Sequence, residues 1–158
     1  MFVEPTYESS FTAYVNNSNQ NINNDTLTTA DITAARNLTS TYATIIKSQP
    51  DIEAAIQAAG LNLAYENVID NISVNTLNDT EIIRVSVITT DPDTSYKIAS
   101  SLQKVAPDYV AGIVAGSAMM VIEPARHPPS IYGPNYLLNV SIGIILGDFR
   151  LMIALIIY

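Results

Sequence analysis

The residues that could do acid–base chemistry are few and poorly placed. His127, the only histidine, lies in a proline-rich stretch. A catalytic base needs an orienting partner and a pocket, and the neighbouring sequence offers neither. The carboxylate pairs Glu4/Glu8 and Asp79/Glu81 fall at strand ends and in a turn of an acidic chain. We therefore interpret all of these side chains as solvated surface groups and predict no catalytic residues.

One segment has the opening spacing of a calcium loop, Asp91-x-Asp93-x-Ser95. Such a loop needs glycine at its sixth position and a bidentate glutamate at its twelfth. Tyr96 and Leu102 occupy those positions, so we predict no metal site. The same residues are better explained as the start of a helix, with Asp91 as its N-cap.

Other catalytic motifs are missing as well. The chain has no cysteine and no glycine-rich phosphate loop, which excludes thiol nucleophiles and gives no reason to expect a cofactor. Gly112 and Gly116 stand in a helical context, where their spacing would let a helix pack closely on a neighbour. The alternative is that they mark the fraying end of that helix. An enzyme is the least favoured class of protein.

Charge excludes a further class of function. The formal net charge is -8, and the seven lysines and arginines are scattered singly along the chain. Binding to nucleic acid needs several cations on one surface, so we predict no nucleic-acid partner. Charged residues make up only 14% of the chain, well below the roughly 25% of a typical soluble domain.

Hydrophobic periodicity and turn residues predict an α+β fold: a small antiparallel or mixed sheet packed with helices. We expect helices to begin near Thr28, at Pro50 and at Pro92, with a short one between. Pro107 should kink or end the last helix early. The predicted strands are Tyr7 to Val15, Ile72 to Thr76, Glu81 to Thr89 and Met119 to Glu123.

The C-terminal segment, Leu137 to Tyr158, has the length of a membrane helix. Thirteen of its 22 residues are Leu, Ile, Val or Phe, and only Asp148 and Arg150 are charged. On insertion scales these contributions sum to roughly zero, so the helix would insert best within a bundle. The alternative is a buried amphipathic helix of a soluble protein. We predict an external domain at residues 1–123, a proline-rich connector at 124–136 and a membrane helix at 137–158.

Several short motifs, in this order and spacing, resemble the Wzz-type chain-length determinants, or polysaccharide co-polymerases, especially the short Gram-positive capsule and exopolysaccharide type. The resemblance runs over nearly the whole chain. It rests on Pro5-Thr6-Tyr7-Glu8-Ser9-Ser10, Thr41-Tyr42, Lys47-Ser48-Gln49-Pro50, Asn71-Ile72-Ser73-Val74, Asn78-Asp79-Thr80-Glu81-Ile82-Ile83, Val85-Ser86-Val87, Asp91-Pro92-Asp93 and Pro134-Asn135.

The resemblance implies an α+β domain outside the cytoplasmic membrane, held between two membrane helices and assembled with itself in rings. It implies a role in setting the length of capsule or exopolysaccharide chains made by a membrane polymerase. Pro128, Pro129, Pro134 and Asn135 would form the membrane-proximal motif, although their spacing is looser than usual. The charges Asp148 and Arg150 also depart from the family pattern.

Three functions follow as hypotheses. The first is a membrane-anchored, non-catalytic regulator of polysaccharide chain length and export. The second is an adaptor that activates a cytoplasmic tyrosine kinase, as the resemblance to Gram-positive members implies. The third is a soluble enzyme of unknown type, which would need a pocket with convergent polar groups.

Overall fold

The computed structural model describes residues 4–17, 39–77 and 80–133. Within these ranges the chain is α+β, as predicted. The strands are β1 (Tyr7–Asn17), β2 (Ile72–Thr76), β3 (Ile82–Thr89) and β4 (Ser117–Glu123). The helices are α1 (described over 39–46), α2 (Gln49–Ala58), α3 (Glu66–Ile69) and α4 (Pro92–Ile113).

The four strands form one sheet in the order β2-β3-β1-β4, and every neighbouring pair is antiparallel. Phe11 on β1 and Val74 on β2 both lie opposite Val85 on β3. Because side chains alternate between the two faces of a strand, this register places all three on the same face. The sheet therefore presents one continuous apolar face.

That face carries the core. α4 packs against β1, β3 and β4, and α2 packs on α4. The buried apolar side chains come from the apolar face of the sheet and from the inner stripes of the helices. They include Phe11, Val15, Tyr42, Ile46, Ile52, Ile56, Ile83, Val85, Ile98, Leu102 and Val110. Burying this surface is the main stabilising contribution to the fold.

Two helix-end predictions are confirmed by local geometry. The Asp91 carboxylate accepts hydrogen bonds from the Thr94 backbone N–H at 2.8 Å and the Thr94 hydroxyl at 2.6 Å, which makes Asp91 the N-cap of α4. These bonds lower the pKa of Asp91. Gly60 follows α2 with a φ of 67°, a left-handed conformation that glycine adopts without steric cost.

Of the two outcomes predicted at Pro107, an early end of α4 is wrong, because the helix continues to Ile113, and a kink stays a prediction. A proline inside a helix removes one hydrogen bond and costs about 3 kcal/mol. Here the residues on both sides of the proline, Ala106 and Val110, are fully buried. Packing of this helical face on the sheet offsets the missing bond.

Several predictions lie outside the described residues: the helix start near Thr28, Asn78 and Asp79 in the β2–β3 turn, and the membrane helix at 137–158. Where the structure describes the chain, no helix is both long and apolar enough to cross a membrane.

Candidate functional site

The proline-rich connector does not project away from the domain over its described part. Residues 124–133 follow β4 and lie alongside the first half of β1. The Thr6 N–H donates to the Gly133 carbonyl at 2.8 Å, and the Tyr132 N–H donates to the Thr6 carbonyl at 2.7 Å. Nearer to β4, the Ser9 hydroxyl donates to the Arg126 carbonyl at 2.8 Å. The connector is therefore fastened to β1 at two separate points.

Prolines explain why the connector is not simply a longer β4. Pro124, Pro128 and Pro129 have no N–H to donate to a strand ladder. Regular pairing with β1 accordingly ends at Glu123, and only one isolated bridge, Thr6 to Gly133, follows. The predicted motif residues Pro128 and Pro129 thus lie beside β1. Pro134 and Asn135 lie outside the described residues, and the assembly role of the motif stays a prediction.

A second set of contacts fastens the connector to α4. The Gln103 side-chain oxygen accepts a hydrogen bond from the Ala125 N–H at 2.7 Å. The His127 ring stacks on Tyr96, with ring centroids 3.9 Å apart and an interplanar angle of 26°. His127 Nδ1 lies 3.6 Å from the nearer carboxylate oxygen of Asp93. Helix, connector and β1 are joined at this end of the domain.

These contacts correct the interpretation of His127. The sequence suggested a surface histidine with no partner and no pocket near it, but the fold supplies a stacking partner, a carboxylate and a crevice. The side chain remains 59% exposed and that of Asp93 69% exposed. Because exposed pairs of this kind contribute little to stability, the stack with Tyr96 defines the ring's position better than the contact with Asp93 does.

The crevice beside His127 has a volume of about 200 Å³ and combines both signs of charge. Glu8 and Ser10 contribute from β1, Glu123 from the end of β4, and Arg126 with His127 from the connector. Such a site can hydrogen-bond polar groups. Across residues 4–17, 39–77 and 80–133 no group of three potential metal ligands comes together.

The members of the carboxylate pairs considered in the sequence, Glu4/Glu8 and Asp79/Glu81, have different surroundings in the structure. Glu8 lines the crevice, whereas Glu4 is exposed. Glu81 accepts a hydrogen bond from the Tyr14 hydroxyl at 2.8 Å, and this bond raises the pKa of Tyr14. Asp79 lies outside the described residues. The Glu81 carboxylate therefore has a structural partner within the sheet.

A larger cavity, of about 400 Å³, lies between α1 and the β2–β3 hairpin. No titratable side chain is among the residues that line it: Thr39, Ser40, Ala43, Val74, Asn75, Thr76, Thr80 and Ile83. The described lining of this cavity offers hydroxyl and amide groups for binding, and none of these residues is an acid or base for catalysis.

The structure reveals one titratable residue that the sequence analysis missed. Asp51, in the first turn of α2, is fully buried, and neither carboxylate oxygen accepts a hydrogen bond from any described residue. Burial raises its pKa to about 7, because a low-dielectric environment disfavours the charged form. Nothing in the sequence signals this burial, since an acid in the first turn of a helix is explained by the helix dipole alone.

The two glycines differ in their surroundings. Gly112 lies in the last turn of α4, and a Cβ added there would meet no atom of the described chain within 4 Å. Gly116 lies beyond the helix with a φ of 77°, which explains its residue type by backbone conformation. Close helix packing at Gly112 would have to involve atoms outside the described chain, and it stays a prediction.

Comparison with known proteins identifies relatives over almost the whole chain. The capsular polysaccharide biosynthesis protein CpsC of Streptococcus agalactiae is 32% identical over 155 residues, which is 98% of this chain and 66% of the relative. The protein of the same name from Streptococcus pneumoniae is 31% identical, covering 92% of this chain and 63% of the relative.

A third relative is the probable capsular polysaccharide biosynthesis protein YwqC of Bacillus subtilis. It is 27% identical, over 90% of this chain and 58% of its own length. The chain thus spans about two thirds, or somewhat less, of the curated relatives it matches. No protein-family profile matches the chain.

Proposed function

This chain belongs to the CpsC family of Gram-positive capsular polysaccharide biosynthesis proteins, the Wzz-type family that its motifs predicted, and on that premise we propose a specific role. Its relatives support a part in capsule biosynthesis. We propose that the protein is a membrane-anchored, non-catalytic regulator of capsular polysaccharide chain length and export. It would act on the extracytoplasmic side of the cell membrane, by assembling with copies of itself and with the membrane polymerase.

The composition of the two cavities supports a role without catalysis. Among the described residues that line the larger one, none is titratable. In the smaller one the side chains of Glu123, Arg126 and His127 are exposed, and that of Glu8 is half-buried. Catalytic groups are usually activated by burial or by a close charged partner, and these side chains are at most half-buried. The buried carboxyl of Asp51 belongs to α2 and lines neither cavity.

The course of the chain supports membrane anchoring. Thr6, near the start of β1, and Gly133, at the end of the connector, are hydrogen-bonded to each other. Both therefore leave the domain at the same end. The hydrophobic segment Leu137 to Tyr158 begins four residues after Gly133, so this end of the domain would face the bilayer.

The exposed edge of β4 supports assembly. β4 is an edge strand of the sheet, and edge strands offer unpaired backbone groups to a partner. Met120 and Ile122 on this strand are 69% and 51% exposed. Ile122 lies where the β1–β4 register shifts, opposite no residue of β1. Apolar side chains on an open edge would be covered if protomers packed side by side.

The observation that carries the proposal is the similarity to CpsC over 98% of this chain. Its test is deletion of the gene in the bacterium that encodes it, followed by size-exclusion analysis of the surface polysaccharide. We expect a changed distribution of polymer lengths with unchanged sugar composition, restored when the intact gene is supplied again. An unchanged length distribution would contradict chain-length regulation.

The same strains test the adaptor hypothesis. If the protein's main role is to activate a cytoplasmic tyrosine kinase, phosphotyrosine in the cell extract is lost on deletion, and changes in polymer length follow only from that loss. Supplying a kinase variant that is active without its adaptor would then restore the polymer. If the protein regulates length itself, the defect persists in that strain.

A further inference from the structure

The last described residues of the connector carry two adjacent apolar side chains in solvent. Ile131 is 51% exposed and Tyr132 is 59% exposed. Single exposed apolar residues are common on protein surfaces and need no explanation. Ile131 and Tyr132 differ from such residues because the backbone at Tyr132 is hydrogen-bonded to Thr6, near the start of β1, and because they lie a few residues before the hydrophobic segment.

The backbone beneath Tyr132 is fixed. Its N–H donates to the Thr6 carbonyl at 2.7 Å, and the next residue, Gly133, accepts from the Thr6 N–H at 2.8 Å. The backbone at Gly133 lies close to Thr6, since a Cβ added to Gly133 would lie 3.2 Å from the Thr6 hydroxyl oxygen. The exposed side chains therefore stand on a rigid part of the sheet edge, with little ordering entropy left to lose on binding.

Chain geometry brings these residues to the membrane. From Tyr132 to Leu137 is five residues, which span at most ~18 Å when fully extended. The polar headgroup layer occupies roughly 5 to 7 Å on each side of the hydrocarbon core. Tyr132 is thus within reach of this layer if the hydrophobic segment crosses the bilayer.

We infer that Ile131 and Tyr132 form a membrane-contact site, which seats this end of the domain in the headgroup layer of a phospholipid bilayer. The inference rests on the proposed function, because it needs the segment Leu137 to Tyr158 to insert. Tyrosine suits this layer since its ring is apolar and its hydroxyl is polar, and aromatic residues are enriched there. Ile131 adds apolar area that the acyl-chain boundary can cover.

Charge indicates which kind of lipid contact this is. At this end of the domain the exposed Glu4 opposes any gain from Arg126 on the connector, and the chain as a whole carries -8. Attraction to anionic headgroups needs a cluster of basic residues. The contact is therefore apolar and aromatic, and it should be equally strong on zwitterionic lipid and at high salt.

The experiment uses the full chain, which contains no tryptophan, so that each substitution introduces a single tryptophan, which can be excited selectively over the tyrosines. Tyr132→Trp is the probe. Met120→Trp is the matched control, because Met120 is also exposed and lies opposite Tyr14, eight residues along β1 from Thr6. At ~3.3 Å per residue the control is about 26 Å farther along the sheet. Both variants are reconstituted in phosphatidylcholine vesicles with lipids brominated near the top of the acyl chains.

We expect both variants to float with the vesicles, the brominated lipid to remove most of the emission of Tyr132→Trp, and Met120→Trp to keep its emission. Adding Ile131→Asn to the Tyr132→Trp chain should restore part of the emission, whereas adding Ile122→Asn should not.

Flotation without quenching of Tyr132→Trp would overturn the inference and leave membrane anchoring standing. A tryptophan that is shielded from aqueous quencher and is not quenched by brominated lipid either would assign the pair to a contact between protomers. Equal quenching of both probes would mean that the domain lies flat on the bilayer, which also overturns the inference. Failure to float would overturn the proposed anchoring and the membrane-contact site together.

Discussion

The two halves of β1 have different neighbours on the same edge. Residues 12–17 pair with β4 through a regular antiparallel ladder. Residues 6–9 lie beside the connector, which is fastened by the bridge at Thr6 and by the side chain of Ser9. The difference teaches how one edge can serve two purposes. The prolines of the connector protect the sheet from further strand pairing beside the first half of β1. Beside the second half, the outer edge of β4 is open among the described residues.

The largest effect should come from removing apolar core contacts of β1 where its two halves meet. Phe11 is 1% exposed and lies opposite Val85 in the core. We expect Phe11→Ala to lower the free energy of unfolding by roughly 3–5 kcal/mol, because the lost apolar burial is accompanied by a cavity. Thermal unfolding of the detergent-solubilised chain, followed by circular dichroism, measures this. A loss no larger than that of the exposed control Met120→Ala would show that Phe11 is not part of the core.

The buried carboxyl of Asp51 should make the stability of the core depend on pH. Its folded-state pKa, about 7, is above the ordinary value of 3.8, so the folded protein binds more protons than the unfolded chain between these values. The contribution of Asp51 to stability is therefore fully present below about pH 4 and is lost as the pH rises to about 7, by an amount on the order of 4 kcal/mol.

Asp51→Asn removes the charge and tests this dependence. We expect the variant to be more stable than the natural protein by roughly 1–3 kcal/mol at pH 8, because the amide is not ionised. The difference between the two should shrink steadily as the pH is lowered from 7 to 4. Glu53→Gln is the control, because Glu53 is exposed on the same helix. A difference that is constant from pH 5 to pH 8 would contradict a raised pKa.

A smaller loss of stability should result from weakening the contact between the connector and β1, and it should distinguish this contact from the β1–β4 ladder. Ser9→Ala removes the donor to the Arg126 carbonyl and should cost about 1 kcal/mol. Hydrogen exchange should become faster at Ala125 and Tyr132 and stay unchanged at the β1–β4 ladder. Ser10→Ala, on the other face of the same strand, is the control. If exchange also accelerated throughout β4, the two halves would unfold as one unit.

The smallest effect on stability should come from the open half of the edge. Met120→Lys changes an exposed side chain, so the free energy of unfolding should stay within about 0.5 kcal/mol. The proposed assembly should nevertheless weaken, because a charge on an edge strand discourages association. Sedimentation of the detergent-solubilised chain reports the oligomer size. An unchanged oligomer size would show that β4 is not part of the proposed interface. Lys104→Met on α4 is the control for solubility.

Local patterns were sufficient to predict most of the elements. β2 agrees with the prediction at both ends, and β3 begins one residue later than expected. Asp91 and Gly60 marked helix ends because capping and left-handed backbone are local effects. The early end predicted at Pro107 was wrong because the same local reasoning takes no account of packing on the sheet. The pattern also predicted that the last strand ends at Glu123, where β4 does end, but not the position of the connector against β1.

The candidate site could be predicted only in part, for the same reason. The sequence identified Pro128, Pro129 and His127 as residues of one stretch. It gave no indication that His127 stacks on Tyr96, 31 residues earlier in the chain, or that Ser9 bonds to Arg126 across 117 residues. Asp51 stands in the first turn of α2, where an acid suits the helix dipole, and its burial depends on what packs over α2.

The sequence by itself determined the family, the α+β class and the strand and helix periods, because these depend on residue order and short-range preferences. Tertiary structure alone decided that β1 lies at the centre of the described sheet, that a proline-rich connector covers half of its edge, and that one carboxyl is buried. These features arise from contacts between residues distant in the chain, whose free energies depend on which groups lose water together. No local pattern contains that information.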